Sequence, residues 1–242
     1  MTPIRQPIPE TIVAGKRLGR HVYRDPYWDS YPPETAAQIV SVTHQGGGLP
    51  LNQGDVGSCS AEALCGALNT MPHWAPGRRT LGQSQAYGLY SVETQLEDPG
   101  NGWPPNDIGG SGQEVCIAGK QVKWLDGFQV ANGVQQALAA LVIRPLITGV
   151  NWYTSFDTPD DNGLVAITPD ATIRGGHEIV AIGIDAIKEL VWFANSWGDW
   201  GVAYGSLSTG CFSMGWNTWE ALLQQGGDAT IPRTALGWEA PA

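Results

Sequence analysis

The stretch QGDVGSCSAEALCGALNT, residues 53–70, decides the fold, because a turn-forming segment here leads directly into a helical pattern. The apolar positions of the second part recur at helical spacing, at Ala61, Leu64, Cys65 and Leu68. This periodicity predicts an α-helix that Ser58 would cap and Pro72 would end. Cys59 therefore falls at a helix start, where the helix dipole stabilises a thiolate.

Outward from this helix, the patterns change from helical to strand-like along the chain. Further helices are predicted at 83–96, 113–124, 133–141 and 216–225, and strands near 39–42 and at 141–150, 177–184, 190–194, 201–206 and 211–214. Helices in the first half and strands in the second indicate an α+β fold. The predicted division is an N-terminal arm at 1–48, a mainly helical subdomain at 49–142 and a mainly β subdomain at 143–242.

Composition excludes several classes of function. A chain of 242 residues can bury a sizeable core, and its net charge of -10 argues against nucleic-acid and membrane-surface partners. The sequence has no apolar run long enough to span a membrane, and residues 1–15 lack the apolar core of a signal peptide. A cytoplasmic location is therefore predicted, with a virion-associated or unconventionally exported protein as the alternatives.

The cysteines and histidines supply few candidates for chemistry. The spacing of the four cysteines gives no dense disulfide framework and no zinc motif, so neither a metal nor another cofactor is expected. Cys65, Cys116 and Cys211 are interpreted as small buried residues. Among the four histidines, His21, His44 and His73 are predicted to have no catalytic role.

The fourth histidine, His177, follows a Gly pair and opens the apolar strand pattern HEIVAIG, residues 177–183. The next strand pattern ends at Asn195, which opens the motif NSWG, residues 195–198. The two strands are predicted to form a hairpin, and adjacent strands can bring His177 and Asn195 together. A thiol nucleophile needs a base and a group that orients the base.

Together, QGDVGSC, HEIVAIG and NSWGDWG resemble the motifs of the papain-like (C1) family of cysteine peptidases, in a bacterial or phage type that lacks a long propeptide. The resemblance implies a helical subdomain packed against a β-barrel-like subdomain, with the active-site cleft between them. It implies that Cys59 is the nucleophile, that His177 is the base and that Asn195 orients it. Gln53 would help to bind the oxyanion, and Trp197 would shield the His–Asn bond from water. Substrates would be peptides or proteins.

Substrate binding is assigned by the same resemblance. Gly109 and Gly110 precede the third predicted helix and are similar to a glycine pair that binds an extended substrate backbone. Gly176, next to the candidate base, and Trp197 complete the substrate-binding candidates.

The sequence departs from the family pattern at three positions. Ser60 stands where an aromatic residue is common, and Val56 stands where a disulfide-forming cysteine is usual. Glu62 is expected to work against a thiolate, because a carboxylate would add negative charge near Cys59.

Two other functions remain open from the sequence. One is a papain-fold module with little or no activity that serves binding or assembly, for example in a phage particle. The other is a different Cys–His hydrolase or acyl transferase, such as a cell-wall amidase or a transglutaminase-like enzyme. The preferred substrate sequence, endo- or exopeptidase action, the oligomeric state and any assembly partner are likewise open.

Overall fold

A computed structural model describes residues 36–48 and 50–241. Within them the helices are α1 (Cys59–Leu68), α2 (Gln83–Glu97), α3 (Gly112–Gln121), α4 (Val134–Leu141) and α5 (Trp216–Gln224). The strands are β1 (Val42–Thr43), β2 (Leu125–Val130), β3 (Leu146–Tyr153), β4 (Leu164–Val165), β5 (Ile173–Asp185), β6 (Leu190–Ala194), β7 (Val202–Tyr204), β8 (Leu207–Gly215) and β9 (Asp228–Thr234). The predicted α+β class is confirmed.

The described strands form one sheet in the order β2-β9-β3-β5-β6-β8-β4, with β1 also paired to β5 and β7 to β8. The pair β4–β8 is parallel and the other pairs are antiparallel. The longest strand is β5, which spans 13 residues and pairs with β1, β3 and β6. The strand that carries His177 is therefore held on both edges.

Two hydrophobic clusters pack on the two faces of β5. One contains buried residues of α1, α2 and α3 together with Val180 and Ile182, and the other contains residues of α4 and α5 together with Ile179 and Ala181. This alternation follows from the two-residue period of a strand. The main strand of the site is thus buried on both faces.

Some predicted boundaries were wrong. The third helix ends at Gln121 and not at 124, and α4 runs into a turn so that β3 begins at Leu146 and not at 141. The predicted strand at 39–42 shares one residue with β1. The short β4 and the strands β2 and β9 were missed. β9 was missed in part because it contains Pro232, a residue that is rare inside strands. Pro232 lies outside the part of β9 that pairs with β3.

The predicted division at residue 142 stays a prediction. β2, which precedes it, pairs with β9, which follows it. Most of the predicted arm at 1–48, with His21, lies outside the described residues. Among the residues that are described, no helix is long and apolar enough to cross a bilayer.

Candidate active site

Cys59 is the first residue of α1 and is almost fully buried. Ser58 occupies the N-cap position, as predicted, but its hydroxyl makes no hydrogen bond to the helix backbone. It donates instead to the Glu62 carboxyl, at 3.3 Å to Oε1. The thiol thus lies at the positive end of the helix dipole, which favours its thiolate form.

His177 and Asn195 are hydrogen-bonded to each other. β5 and β6 pair antiparallel with Val180 opposite Ala194, and His177 Nε2 lies 2.7 Å from Asn195 Oδ1. The Ser196 backbone N–H donates to the same oxygen at 2.8 Å, which fixes the orientation of the amide. Because an amide oxygen only accepts, Nε2 carries the proton. Nδ1 is then the ring nitrogen that can exchange a proton with a thiol.

Aromatic rings surround the buried imidazole of His177. The Trp197 ring stacks on it, with centroids 4.7 Å apart and planes at 20°, and Trp152 meets it edge-on at 5.1 Å. Trp152 is held by a hydrogen bond from its Nε1 to Asp157 Oδ1 at 3.0 Å, and Asp157 also pairs with Arg174. The rings keep water from the His–Asn bond, which strengthens it electrostatically.

Gln53 is buried and its side chain is fixed at both ends. Its Oε1 accepts from Ser196 Oγ at 2.7 Å, and its Nε2 donates to Val56 O at 2.9 Å. The backbone is fixed as well, because Gln53 N donates to Ser196 O at 2.9 Å. A primary amide has two N–H donors, so the Val56 contact leaves Nε2 the capacity for a second acceptor. The residue next to Asn195 thus holds the candidate oxyanion donor.

α1 packs closely against β5. A Cβ atom added to Gly66 of α1 would lie 3.0 Å from Val180 Cγ2, which is tighter than an ordinary contact. Glu62 in the first turn of α1 lines a small cavity together with Glu178 and Asn195. The start of the nucleophile helix therefore lies beside the strand that carries His177.

No family model and no curated protein sequence matches the chain. Solved structures do match. Xylellain, a cysteine protease from Xylella fastidiosa, has a TM-score of 0.66 at 18% identity over 93% of this chain and 97% of its own. Digestive procathepsin L 3 of Tenebrio molitor larval midgut has a TM-score of 0.55 at 14% identity, over 93% and 76%. The cysteine protease CMS1MS2 of Carica candamarcensis, solved with E-64, has 0.51 at 15% identity, over 77% and 93%.

The chain has a papain-like fold. At these identities the likeness extends to the fold and not to the chemistry, and the bacterial or phage type stays a prediction. Within the papain-like fold, the candidates Cys59, His177, Asn195, Gln53 and Trp197 lie on neighbouring segments: the start of α1, the loop before it, β5 and the turn after β6.

The glycine candidates occupy three different settings. Gly109 has a φ of 70°, and its N–H donates to the Tyr90 hydroxyl at 2.8 Å. Gly110 packs so closely on the Glu93 carboxyl that a larger residue would not fit. Gly176 pairs with Asn151 in the β3–β5 ladder. Their role in substrate binding stays a prediction.

Glu62 differs from the sequence-based expectation. The side chain is buried, and this burial raises its pKa to about 8 despite the hydrogen bonds from Gln83 and Ser58. At neutral pH the group is therefore mainly uncharged. The expected opposition to a Cys59 thiolate is wrong for this pH, because sequence alone did not reveal the burial.

The residues that the sequence analysis missed include a polar row along one side of α2, which we call the α2 stripe. Its members follow a helical period: Gln83, Tyr87, Tyr90 and Glu93. Three of its contacts go to backbone atoms of site loops: Asn52 N to Gln83 Oε1 at 3.0 Å, Tyr87 OH to Gln53 O at 3.0 Å, and Gly109 N to Tyr90 OH at 2.8 Å. The spacing at 83, 87 and 90 was visible in the sequence, but its partners were not.

The last member of the α2 stripe explains an unusual residue next to the nucleophile. Ser60 Oγ donates to Glu93 Oε2 at 2.7 Å, and both residues are buried. Burial raises the pKa of Glu93 well above its ordinary value. Ser60, which departs from the family pattern, thus supplies a hydrogen bond to one oxygen of a buried carboxyl group.

The three cysteines outside the candidate triad are buried, as the sequence predicted. Cys65, Cys116 and Cys211 are buried free thiols whose pKa values are raised by burial. His44 lies 2.6 Å from Leu141 O through Nε2, and burial lowers the pKa of His73 to about 4. Among the described residues, no three His, Cys, Asp or Glu side chains are grouped as metal ligands would be.

Proposed function

We propose that the chain is a cysteine peptidase that hydrolyses peptide bonds in peptides or proteins through a thioester acyl-enzyme. The observation that carries the proposal is the His177 Nε2–Asn195 Oδ1 bond under Trp197, beside the start of the helix that carries Cys59. A buried amide–imidazole pair at a helix-terminal thiol is the arrangement that activates a thiol nucleophile. The papain-like fold, which xylellain and the other cysteine protease compared above share, supports the same reaction.

In the proposed reaction His177 Nδ1 takes the Cys59 proton, and Sγ forms a bond to the substrate carbonyl carbon. Cys59 N–H and Gln53 Nε2 stabilise the resulting oxyanion. The carbon–nitrogen bond then breaks, and His177 gives its proton to the departing amine. Water next attacks the thioester while His177 removes its proton. The carbon–sulfur bond breaks, so that the acid leaves and the thiol is restored.

The proposal is tested by labelling the folded protein with E-64 at neutral pH and mapping the four cysteines by mass spectrometry. E-64 is chosen because it is bound in one of the similar structures. We expect modification of Cys59 alone, and none in the His177→Ala variant. His73→Ala is the matched control, since it removes another buried imidazole.

The other functions predict different results. No labelling of folded wild-type protein would favour an inactive binding or assembly module. Labelling of Cys59 without cleavage of any member of a peptide library, but with hydrolysis of cell-wall amides, would favour the amidase alternative.

A further inference from the structure

Asp107 joins two segments that flank the candidate nucleophile. Its Oδ2 accepts a hydrogen bond from Gly57 N at 2.6 Å, and its Oδ1 accepts one from the Tyr90 hydroxyl. Gly57 lies two residues before Cys59, and Asp107 lies two residues before Gly109. One carboxylate therefore reaches from the loop before α3 to the loop before α1.

Tyr90 extends this connection. The residue is fully buried in α2, and its hydroxyl both donates to Asp107 and accepts from Gly109 N at 2.8 Å. A phenol can do both at once. Burial and the neighbouring Asp107 raise the pKa of Tyr90, so the hydroxyl stays protonated and keeps its donor role.

The backbone at Gly57 is adapted to this contact. A Cβ atom at this position would lie 2.6 Å from Asp107 Oδ1, so any larger residue would displace the carboxylate. Gly109 also has a conformation that favours glycine, with φ at 70°. The hydrogen bonds of Gly57 to Asp107 and of Gly109 to Tyr90 thus both require a glycine at the donor position.

We propose that Asp107 and Tyr90 are positioning residues that fix the segment before Cys59 against the Gly109–Gly110 segment. The inference rests on the proposed function, in which the first segment carries the nucleophile and the second segment binds the substrate backbone. The Gly57–Asp107 bond joins a backbone N–H to a carboxylate, a stronger kind of hydrogen bond than one between neutral groups, and solvent weakens it because Asp107 is exposed. Asp107 acts on Cys59 through Gly57, and Tyr90 acts on substrate through Gly109.

The first test measures amide hydrogen exchange and does not depend on activity. Asp107→Ala is expected to speed exchange roughly tenfold or more in the peptides that contain Gly57 and Gly109. The Gly57 amide loses its acceptor, and the Gly109 amide keeps an acceptor, the Tyr90 hydroxyl, that Asp107 no longer holds in place. Tyr90→Phe is expected to speed exchange at Gly109 with a smaller effect at Gly57. Asp98→Asn, in the same loop, is the matched control and should change neither peptide. Unchanged exchange in both variants would overturn the inference.

The second test separates the two segments by kinetics. Iodoacetamide needs only an activated thiol, whereas a peptide substrate also needs the Gly109–Gly110 segment. Asp107→Ala is expected to lower the rate of Cys59 alkylation and kcat/KM for a fluorogenic peptide, each about tenfold or more. Tyr90→Phe is expected to raise KM for the peptide and to leave alkylation nearly unchanged. Asp107→Asn, whose amide oxygen can still accept from Gly57, should recover part of the activity.

Equal losses of alkylation and hydrolysis in Tyr90→Phe, or no loss in Asp107→Ala, would overturn the positioning role. Failure of the proposed function would give a different result. In the wild type, iodoacetamide would then alkylate Cys59 no faster than Cys65, Cys116 and Cys211. The exchange experiment would still decide whether the Asp107–Tyr90 connection holds the two loops.

Discussion

The imidazole of His177 shows, at the scale of single residues, how contacts determine which ring nitrogen carries a proton. Asn195 Oδ1 lies 2.7 Å from its Nε2, and the Ser196 N–H prevents the amide from turning over. Trp197 holds the ring plane from one face. The tautomer and the orientation of the base are therefore set before a substrate binds.

The Asn195→Ala variant tests this contribution. The charged imidazolium would lose the hydrogen bond that it donates to Asn195 Oδ1, so we expect kcat/KM for a peptide substrate to fall about 10-fold to 100-fold. The melting temperature should change little by comparison. Asn162→Ala, at an exposed loop position, is the control. A loss below twofold would contradict the assigned role.

Glu62 gives a prediction for pH dependence. Its folded pKa of about 8 lies above the ordinary value of 4.5, so the folded chain holds this proton more tightly than the unfolded chain. As pH rises from about 4.5 to about 8, the unfolded chain ionises first, and the free energy of unfolding falls by roughly 1 kcal/mol per unit of pH. Beyond pH 8 both states are ionised and the decline ends.

Urea unfolding of the wild type and of Glu62→Gln between pH 4 and pH 9 would measure this contribution. The variant should not show the fall in the free energy of unfolding that comes from Glu62. The difference in this free energy between the wild type and the variant should therefore decrease from about pH 4.5 to about pH 8. Parallel pH profiles would show that Glu62 ionises normally in the folded chain.

The catalytic candidates were the part of the site easiest to predict at this scale. Cys59, His177 and Asn195 each lie within a short motif whose neighbours are adjacent in sequence. The protonation of Glu62 could not be predicted, because it depends on burial by segments distant in the chain. Asp107 was missed for the same reason, since its partner Gly57 is 50 residues away.

At the scale of elements, the contact between α1 and β5 sets how the thiol and the imidazole approach each other. Gly66 allows the helix to pack against the Val180 side chain, because a Cβ atom here would lie 3.0 Å from Val180 Cγ2. The glycine lies seven residues after Cys59, which is two helical turns, and so shares a face of α1 with it. A change at Gly66 therefore acts on the same face as the nucleophile.

Gly66→Val should lower the free energy of unfolding by about 1–3 kcal/mol through overpacking, and should slow E-64 labelling of Cys59. Gly88→Val is the matched control in α2, where nothing lies within 4 Å of an added Cβ. The control should be neutral or gain about 0.3–0.5 kcal/mol from helix propensity. Equal effects of the two substitutions would refute the packing argument.

Element prediction succeeded where a pattern was long and regular. α1, α2 and the pair β5–β6 were placed within a few residues because each has a clear apolar period. β2 and β9 were missed, since LDGFQV and DATIPRT contain Gly, Pro and charged residues. Their pairing with each other across about 100 residues supplies the stability that their own sequences do not indicate.

At the scale of the whole molecule, the four cysteines all lie in the described part of the chain, where they are buried and form no disulfide. The fold is therefore stabilised by its two hydrophobic clusters and its hydrogen bonds, without a covalent cross-link. We expect a reducing agent to leave the urea midpoint unchanged. Ellman's reagent should titrate four thiols in the unfolded chain, and in the native chain Cys59 should react first. A midpoint that falls on reduction would reveal a disulfide.

The long-range contacts of the molecule could not be predicted from one sequence. The α2 stripe contacts residues some 20 to 35 positions away, and a helical period shows that such a row exists without showing what it binds. The resemblance to the papain-like family indicated the general architecture. It did not indicate that α2 would hold the loops on both sides of Cys59.

The α2 stripe binds those loops largely through main-chain atoms: the Asn52 amide, the Gln53 carbonyl and the Gly109 amide. Such bonds keep the path of a loop whatever side chains it presents to solvent. An exposed position such as Asp55 could then be randomised in a library while the main-chain path is retained. The helix would serve as a constant scaffold for directed evolution, and substrate preference would become the trait that the loops are free to vary.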